Sequence, residues 1–325
     1  MDPKTTAAGI LKNAAYDPKK LAVIHTGASL LLSLVLTVAN FYLTRAIDST
    51  VGLSQMGDRA ILGTVQSVLS FLGPLLLPFW EAGFFAAVLR NVRHGDAVPG
   101  DLLSGFRKGG AVARLYLLQF GIYLVLAFVC VQIASTLFSL TPQGMDAMTA
   151  IEDILLQAQA AGQTVLSDQD VAKLLPILMP VYAAAMILLV LLAVPAFYLL
   201  RMSFFALFDD ARGAFDAVKI SFRMMFKCGF RVFLLDLRFW WYYLAQLIIT
   251  AVAYLDLILP AVGIQLPLSE DVFFFATYAA HIVLQLLLAW QFASWVQTGY
   301  AVCYDSWKSS LPKKEPLPQT QNESL

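Results

Sequence analysis

Residues 111–140 read AVARLYLLQFGIYLVLAFVCVQIASTLFSL, a run whose only Lys, Arg, Asp or Glu is Arg114. About 20 predominantly apolar residues suffice for a helix to cross a hydrocarbon core about 30 Å thick. This stretch is therefore long enough to span a bilayer. Five others share its character, at roughly 21–43, 61–90, 175–200, 232–259 and 272–303. Several exceed the minimum, which calls for tilt, kinks or extension beyond the hydrocarbon. The first is too long for the apolar part of a secretory signal, and no small-residue cleavage site follows it. Composition agrees with the runs: the 325 residues are 59% hydrophobic and 14% charged, with a mean hydropathy of +0.71. Soluble domains carry about 25% charged residues. A chain this short of charge cannot cover a globular surface with polar groups.

Arg114 belongs to a wider pattern. Nineteen of the 22 Lys and Arg residues lie in the N-terminal arm, in 90–114, in 201–238 and in the tail from Lys308; the alternate loops hold only Arg45, Arg59 and Lys173. Cationic residues near span ends stay on the cytoplasmic side, so both termini are expected inside, which six spans satisfy. The expected fold is all-α: a polytopic membrane protein, a six-transmembrane-helix bundle with cytoplasmic interfacial amphipathic helices. A cytoplasmic amphipathic segment (1–20) would lead into the transmembrane domain (21–308), and a Pro-rich polar tail (309–325) reads as disordered and cytoplasmic. Net charge is zero, so no global basic field points to nucleic acid. Cys130, Cys228 and Cys303 show no paired or metal-like spacing.

Between the spans, 4–16 (KTTAAGILKNAAY) reads as a short amphipathic helix on the inner membrane surface. Pro74 and Pro78 in FLGPLLLPFWEAG each remove a backbone donor, so the second span is expected to be kinked or broken near its middle. The external loop 141–174 is acidic, with helical spacing over 145–160 and a second helix capped by Ser167, with Asp168 and Asp170 in its first turn. A protein partner could use this loop. In the cytoplasmic loops, DLLSGFRKGGAVARLYLL at 101–118 is similar to DAVKISFRMMFKCGFRVFLL at 216–235. Each opens on an Asp, carries a Phe-Arg pair and places an arginine at the mouth of the next span. Such a repeat would give a two-halved design of the kind transporters use.

The stretch RMSFFALFDDARGAFDAVKISFRMMFKCGFRVFLLDLRFWW at 201–241 resembles the signature of a bacterial integral membrane family catalogued as domain of unknown function 975. The matching positions are Ala217, Ser221, Met225, Phe233, Leu235, Leu237, Phe239 and a tryptophan at 240 or 241. AAGILKNAAYDPKKLAVI near the start, DLLSGFRK at 101–108 and TGYAVCYDSW near the end agree with it. The chain departs at Arg238, where the family commonly has serine, and its external loop is longer. The resemblance implies fold and topology; the family has no assigned activity.

Ionisable groups inside spans are costly and mark functional candidates. Glu81 follows the double-proline segment and sits nine residues before Arg90, about 13 Å deep at 1.5 Å per residue. It reads either as a proton or cation site on a broken helix or as a structural carboxylate paired with Arg238 or Arg114. Asp236 and Arg238, two apart, point to different faces and suit bonds to other helices or headgroups. Asp256 lies near the outer interface. His281 and Gln285, four apart, share a face and could line a polar seam; His25 and Gln291 also fall in spans. The patch Phe239–Tyr243 reads as an interfacial aromatic belt. Arg212, Lys219, Arg223, Lys227 and Arg231 interleave with Phe and Met, a pattern suited to anionic lipid headgroups. With three histidines (His25, His94, His281) and no H-x-x-x-H or carboxylate cluster, no metal site is expected, and no cofactor. No hydrolase, zincin, P-loop or Rossmann motif appears.

The expectation is thus an uncharacterised multi-pass protein of the bacterial cell membrane, non-enzymatic, handling or transporting a lipid or small solute through Glu81 and the kinked second span. The alternative is a membrane scaffold or accessory subunit of a larger complex.

Overall fold

The computed structural model describes residues 7, 9–10, 17–49, 56–160, 168–209, 211–255, 258–259 and 269–310. Among them there is no strand, and the fold is 93% helical. In chain order the elements are α1 (Pro18–Ser49), α2 (Met56–His94), a 3₁₀ turn at Pro99–Leu103, α3 (Ser104–Arg107), α4 (Gly109–Ser139), α5 (Pro142–Ala160), α6 (Asp168–Leu200), α7 (Ser203–Phe208), α8 (Ala214–Arg238), α9 (Trp240–Ala253), α10 (Glu270–Leu288), a π-helical turn at Ala289–Ala293, and α11 (Ser294–Ser309). The expected helix at 4–16 lies mostly outside the described residues. So do the Ser167 cap, Asp256 and the tail beyond Ser310.

Among the described residues, five stretches are long and apolar enough to cross a membrane: Pro18–Ile47, Ala60–His94, Gly109–Ser139, Leu178–Phe208 and Asp271–Ser309. The pair α8 and α9 passes the same criterion only together and is bent by 60°, making a sixth if it counts as one span. This is an all-α, multi-pass membrane protein. α8 runs unbroken through 232, the expected start of the fifth span, to Arg238, and the bend falls at Phe239. Nothing in VFLLDLR at 232–238 interrupts a helix. Phe239 does leave helical geometry (φ −106°, ψ 15°). Its ring is buried, and a hydrogen bond from Tyr243 to Asp236 holds the two arms across the bend.

Of the expected kink or break in the second span, the break is absent: α2 passes through Pro74 and Pro78 as one continuous helix. Pro78 lacks the donor that would reach the carbonyl four residues earlier, that of Pro74. Both defects therefore lie on one face, and the remaining columns of hydrogen bonds carry the helix through.

Two compact units can be distinguished, residues 1–114 with 202–325 and residues 115–201. In the first, α1 packs antiparallel on α2. Trp80 Nε1 donates to the His25 carbonyl at 2.9 Å, Gly73 faces Leu36, and Gln66 Nε2 donates to Thr44 Oγ1 at 2.8 Å. The His25 ring stacks on Phe84 with centroids 4.3 Å apart. The other side of α1 meets α10, also antiparallel: Gly27 lies against Leu286, Thr37 donates to Tyr278, and Arg45 pairs with Asp271.

The 3₁₀ turn and α3 press onto the middle of α2 with almost no gap. A Cβ on Gly83 would fall 1.8 Å from the Leu102 carbonyl oxygen, and one on Gly105 would fall 1.8 Å from that of Phe79. Only residues without a side chain permit this backbone-on-backbone approach. Phe79 and Phe106 stack beside it. The proposed repeat therefore takes two different forms. Residues 101–107 make a short, broken helical segment docked on α2, whereas 216–235 lie within one long helix. Pro99 and the glycines at 105, 109 and 110 explain the difference.

In the second unit, α5 starts with Thr141, whose hydroxyl accepts from the Gly144 N–H at 3.0 Å, and with Pro142 in the first turn. Both are favoured start signals. A helix thus covers the expected 145–160 and starts three residues earlier. α6 begins at Asp168 and continues as one helix to Leu200 through Pro176, Pro180 and Pro195. The Arg201 guanidinium ends the unit over the rings of Phe197 and Tyr198.

Candidate functional site

The site is built mainly from α8 and α11. α8 begins after extended Gly213, and the Asp216 carboxylate accepts from the Arg212 N–H at 3.1 Å near the positive end of the helix. One face, including Ala217, Ser221, Met224, Met225, Val232 and Leu235, is buried. Ser221 Oγ accepts from the Met202 N–H at 3.2 Å, which fixes α8 to the start of α7. On α11, Gly299 lets the helix approach closely: a Cβ there would sit 3.3 Å from Leu235 and 3.6 Å from Phe239.

Away from that contact the helices part around a cavity of about 650 Å³. From α8 come Cys228, Arg231, Val232, Leu234, Leu235 and Arg238; from α11 come Val302, Cys303, Asp305, Ser306, Trp307 and Ser309. Val92 of α2 and Ile10 complete the lining. Positions 228, 231, 235 and 238 recur every three or four residues, so they share a face of α8. Among the described residues the lining is apolar wall with two arginines, one carboxylate, two hydroxyls and two thiols. Trp307 adds a buried indole N–H with no partner among the described residues. Indole nitrogen is donor only, and an unmet buried donor costs about 1–3 kcal/mol.

Two polar clusters hold these walls. At the bend, the Asp236 carboxylate accepts from the hydroxyls of Tyr243, at 3.0 Å, and Tyr300, and the two hydroxyls also contact each other. This joins α8, α9 and α11. At the charged end, Arg93 donates to both carboxylate oxygens of Asp209 at 2.8 and 3.0 Å and, through Nε, to Asp305 at 2.8 Å. Lys308 and Tyr304 also donate to Asp209, at 2.6 and 3.1 Å. Burial of Asp209 would raise its pKa, but the hydrogen bonds from Arg93 and Lys308 outweigh it and hold the carboxyl below the usual range. Asp305, the one carboxylate among the described lining residues, is thus already engaged by a guanidinium.

The structure divides the residues singled out from sequence. Arg231 and Arg238 meet on the cavity wall. Asp236 lies behind that wall as the acceptor of two tyrosines. Glu81 is exposed on the surface of α2 and makes no hydrogen bond or ion pair with a described residue, so neither Arg238 nor Arg114 is its partner. Arg114 instead donates to the Gly110 carbonyl at 3.1 Å. His281 Nδ1 bonds the Ile249 carbonyl at 2.9 Å, tying α10 to α9. Gln285 is half-buried one turn on. Neither His281, Gln285 nor Glu81 lines the cavity. Arg212, Lys219, Arg223 and Lys227 are exposed along α8, as are Arg231 and Arg238 at the open edge of the cavity.

Sequence reasoning missed Cys228, Cys303 and Trp307 as neighbours, and the Arg93–Asp209–Lys308 network entirely. No spacing rule links residues so far apart in the chain. Among the described residues no group of three or more His, Cys, Asp or Glu could hold a metal ion. Compared with family models, curated proteins and solved structures, the chain matches none.

Proposed function

We propose that this chain is a non-enzymatic protein of the cell membrane, with both termini cytoplasmic, that holds an amphiphilic lipid or small solute in the cavity between α8 and α11. The observation that carries the reading is the make-up of the wall. Apolar Val232, Leu235 and Val302 stand beside the guanidiniums of Arg231 and Arg238 and the unmet Trp307 donor. A cavity of about 650 Å³ falls in the range of about 300–1,000 Å³ typical of ligand sites. Basic pockets between helices at the cytoplasmic face suit anionic headgroups.

The placement of positive charge along the chain favours the orientation. The outer face of α8 carries Phe215, Phe226 and Phe230, each more than 70% exposed, alternating with Lys219, Arg223 and Lys227. A helix of that kind rests in the headgroup plane and would bring the cavity to the inner leaflet. The patches at 101–108 and 201–241 support kinship with the family catalogued as domain of unknown function 975. Glu81 gives up its place as the central polar site, because it is not among the cavity's lining residues and pairs with no described residue.

The cavity thiols provide the test. The purified full chain in detergent is alkylated with a maleimide, and modification of Cys228 and Cys303 is followed by peptide mass. Added membrane lipid should slow both reactions, while Cys130, buried in the other unit, serves as the internal control. Rates at Cys228 and Cys303 that ignore every lipid class would overturn the proposal.

A further inference from the structure

Beyond lipid binding, and with none of the cavity's residues, we infer that the inward faces of α1 and α10 form a path for protons across the membrane. Successive helical residues are turned by about 100°. On α1, Ser29, Ser33, Thr37 and Asn40 therefore share an arc of about 80°. Exposed Ile24, Leu31, Val35 and Tyr42 centre on the opposite side of that helix. On α10, Tyr278, His281 and Gln285 share an arc of about 60°, opposite exposed Val272, Val283 and Leu287. The two polar arcs lie at matching depths. Thr37 donates to Tyr278 at 3.4 Å, Arg45 pairs with Asp271, and Gly27 lies against Leu286. That antiparallel register puts Ser33 level with His281 and Ser29 level with Gln285.

His281 supplies the proton acceptor. Its Nδ1 bonds the Ile249 carbonyl at 2.9 Å. A carbonyl only accepts, so Nδ1 carries the hydrogen and Nε2 of the neutral ring keeps its lone pair. The residue lies roughly 16 Å from the start of α10 at 1.5 Å per residue, near the middle of a core about 30 Å thick. Toward one end of the path, Asn40 accepts from Ser70 at 3.5 Å and Thr44 from Gln66 at 2.8 Å. Toward the other, the buried atoms His25 Nε2, Ser294 Oγ, Gln297 Oε1 and Asn91 Oδ1 have no partner among the described residues. Ser294 and Asn91 are only 2% and 4% exposed. These four belong to α1, α2 and α11, which pack on one another. Buried polar atoms of this kind hold ordered water, and histidines and hydroxyls inside spans build proton relays. A proton from water joins His281 Nε2, the ring becomes imidazolium, and the same proton leaves to the next water. None of the side chains along the arcs is a carboxylate, so a metal cation has no counter-charge there.

Proton flux tests the inference without touching the lipid cavity. Full-length protein is reconstituted into vesicles of phosphatidylcholine and phosphatidylglycerol with trapped pyranine reporting the internal pH. A potassium gradient with valinomycin sets a potential, negative inside, that draws protons in. Parent vesicles should acidify faster than protein-free ones. His281→Asn keeps a donor for the Ile249 carbonyl but has no nitrogen lone pair to take a proton, and should return the rate to that of protein-free vesicles. Ser33→Ala, a milder change, should slow it. Ser67→Ala removes an exposed hydroxyl of α2 that bonds the Gly63 carbonyl of its own helix at 2.8 Å, and should leave the rate unchanged. A parent no faster than empty vesicles overturns the inference. So does a Ser33→Ala or His281→Asn protein that elutes like the parent and conducts like it, or a Ser67→Ala protein slowed as much as His281→Asn. Release of co-trapped calcein along with acidification would replace the proton path by a general leak. Each of these failures leaves lipid protection of Cys228 and Cys303 as a separate question.

Discussion

Gly83→Ala tests the tightest contact in the molecule. Its new Cβ would lie 1.8 Å from the Leu102 carbonyl oxygen, 2.6 Å from the carbonyl carbon and 3.2 Å from the Leu102 Cα. These are backbone atoms, so relief requires the 3₁₀ turn and α3 to move off α2 together. Overpacking of a tight site costs about 1–3 kcal/mol, and a backbone obstacle places this one at the upper end. Alanine recovers about 1 kcal/mol of helix propensity over glycine. The net loss is about 2 kcal/mol, or a drop in Tm of roughly 4–8 °C at about 2–4 °C per kcal/mol. Gly63→Ala in the same helix is the matched control, because nothing lies within 4 Å of its Cβ position. It should leave Tm unchanged or raise it. Melting both variants in one detergent, followed by intrinsic fluorescence, decides the matter. A Gly83→Ala protein that melts with or above Gly63→Ala would refute the close approach of 99–107 to α2.

Tyr300→Phe leaves Asp236 with one fewer donor and should cost about 1–3 kcal/mol, with Tyr243→Phe in the same background costing less than its effect alone because the three groups share one network; strict additivity would refute that coupling. Asp209 lies below its ordinary value of about 3.8, so its stabilising contribution is complete above that value and is lost as pH falls through the lower folded value. Tm of the parent should therefore fall more steeply on acidification below about pH 4 than Tm of Asp209→Asn, and parallel pH profiles would contradict the network around Arg93 and Lys308. Glu81→Gln should leave lipid protection of Cys303 unchanged, since Glu81 stands outside the cavity lining; loss of protection would restore Glu81 as the polar site. Arg45→Ala removes an ion pair whose partners are 58% and 38% exposed and should change stability by less than about 1 kcal/mol.

Much of the fold was legible because lipid imposes length and composition on each span. Runs such as 111–140 and 272–303 needed only hydropathy to be found. The α8–α9 bend was harder: VFLLDLRFWW contains no Gly or Pro, and what turns the chain at Phe239 is burial of its ring and a carboxylate tied by tyrosines from α9 and α11. Pro74 and Pro78 left a break as one expectation, and their paired defects on one face leave α2 continuous. Arg231 and Arg238 were visible as charges but read separately, one as a lipid contact and one as an intramembrane polar group. Their common face follows from the seven-residue spacing. Their common cavity depends on where α11 lies, and no local pattern encodes that. Gly83 and Gly105 look like ordinary glycines until the backbone of another segment is seen against them.

The central claim is that the α8–α11 cavity retains an anionic lipid through its two arginines. Native mass spectrometry of the full chain, extracted from its own membrane in mild detergent and not supplemented, tests it most directly. The expected spectrum shows one tightly held anionic lipid, reduced sharply in the R231Q/R238Q variant and retained in R223Q. A parent protein that flies bare, or a lipid held equally by parent and double variant, would contradict the account.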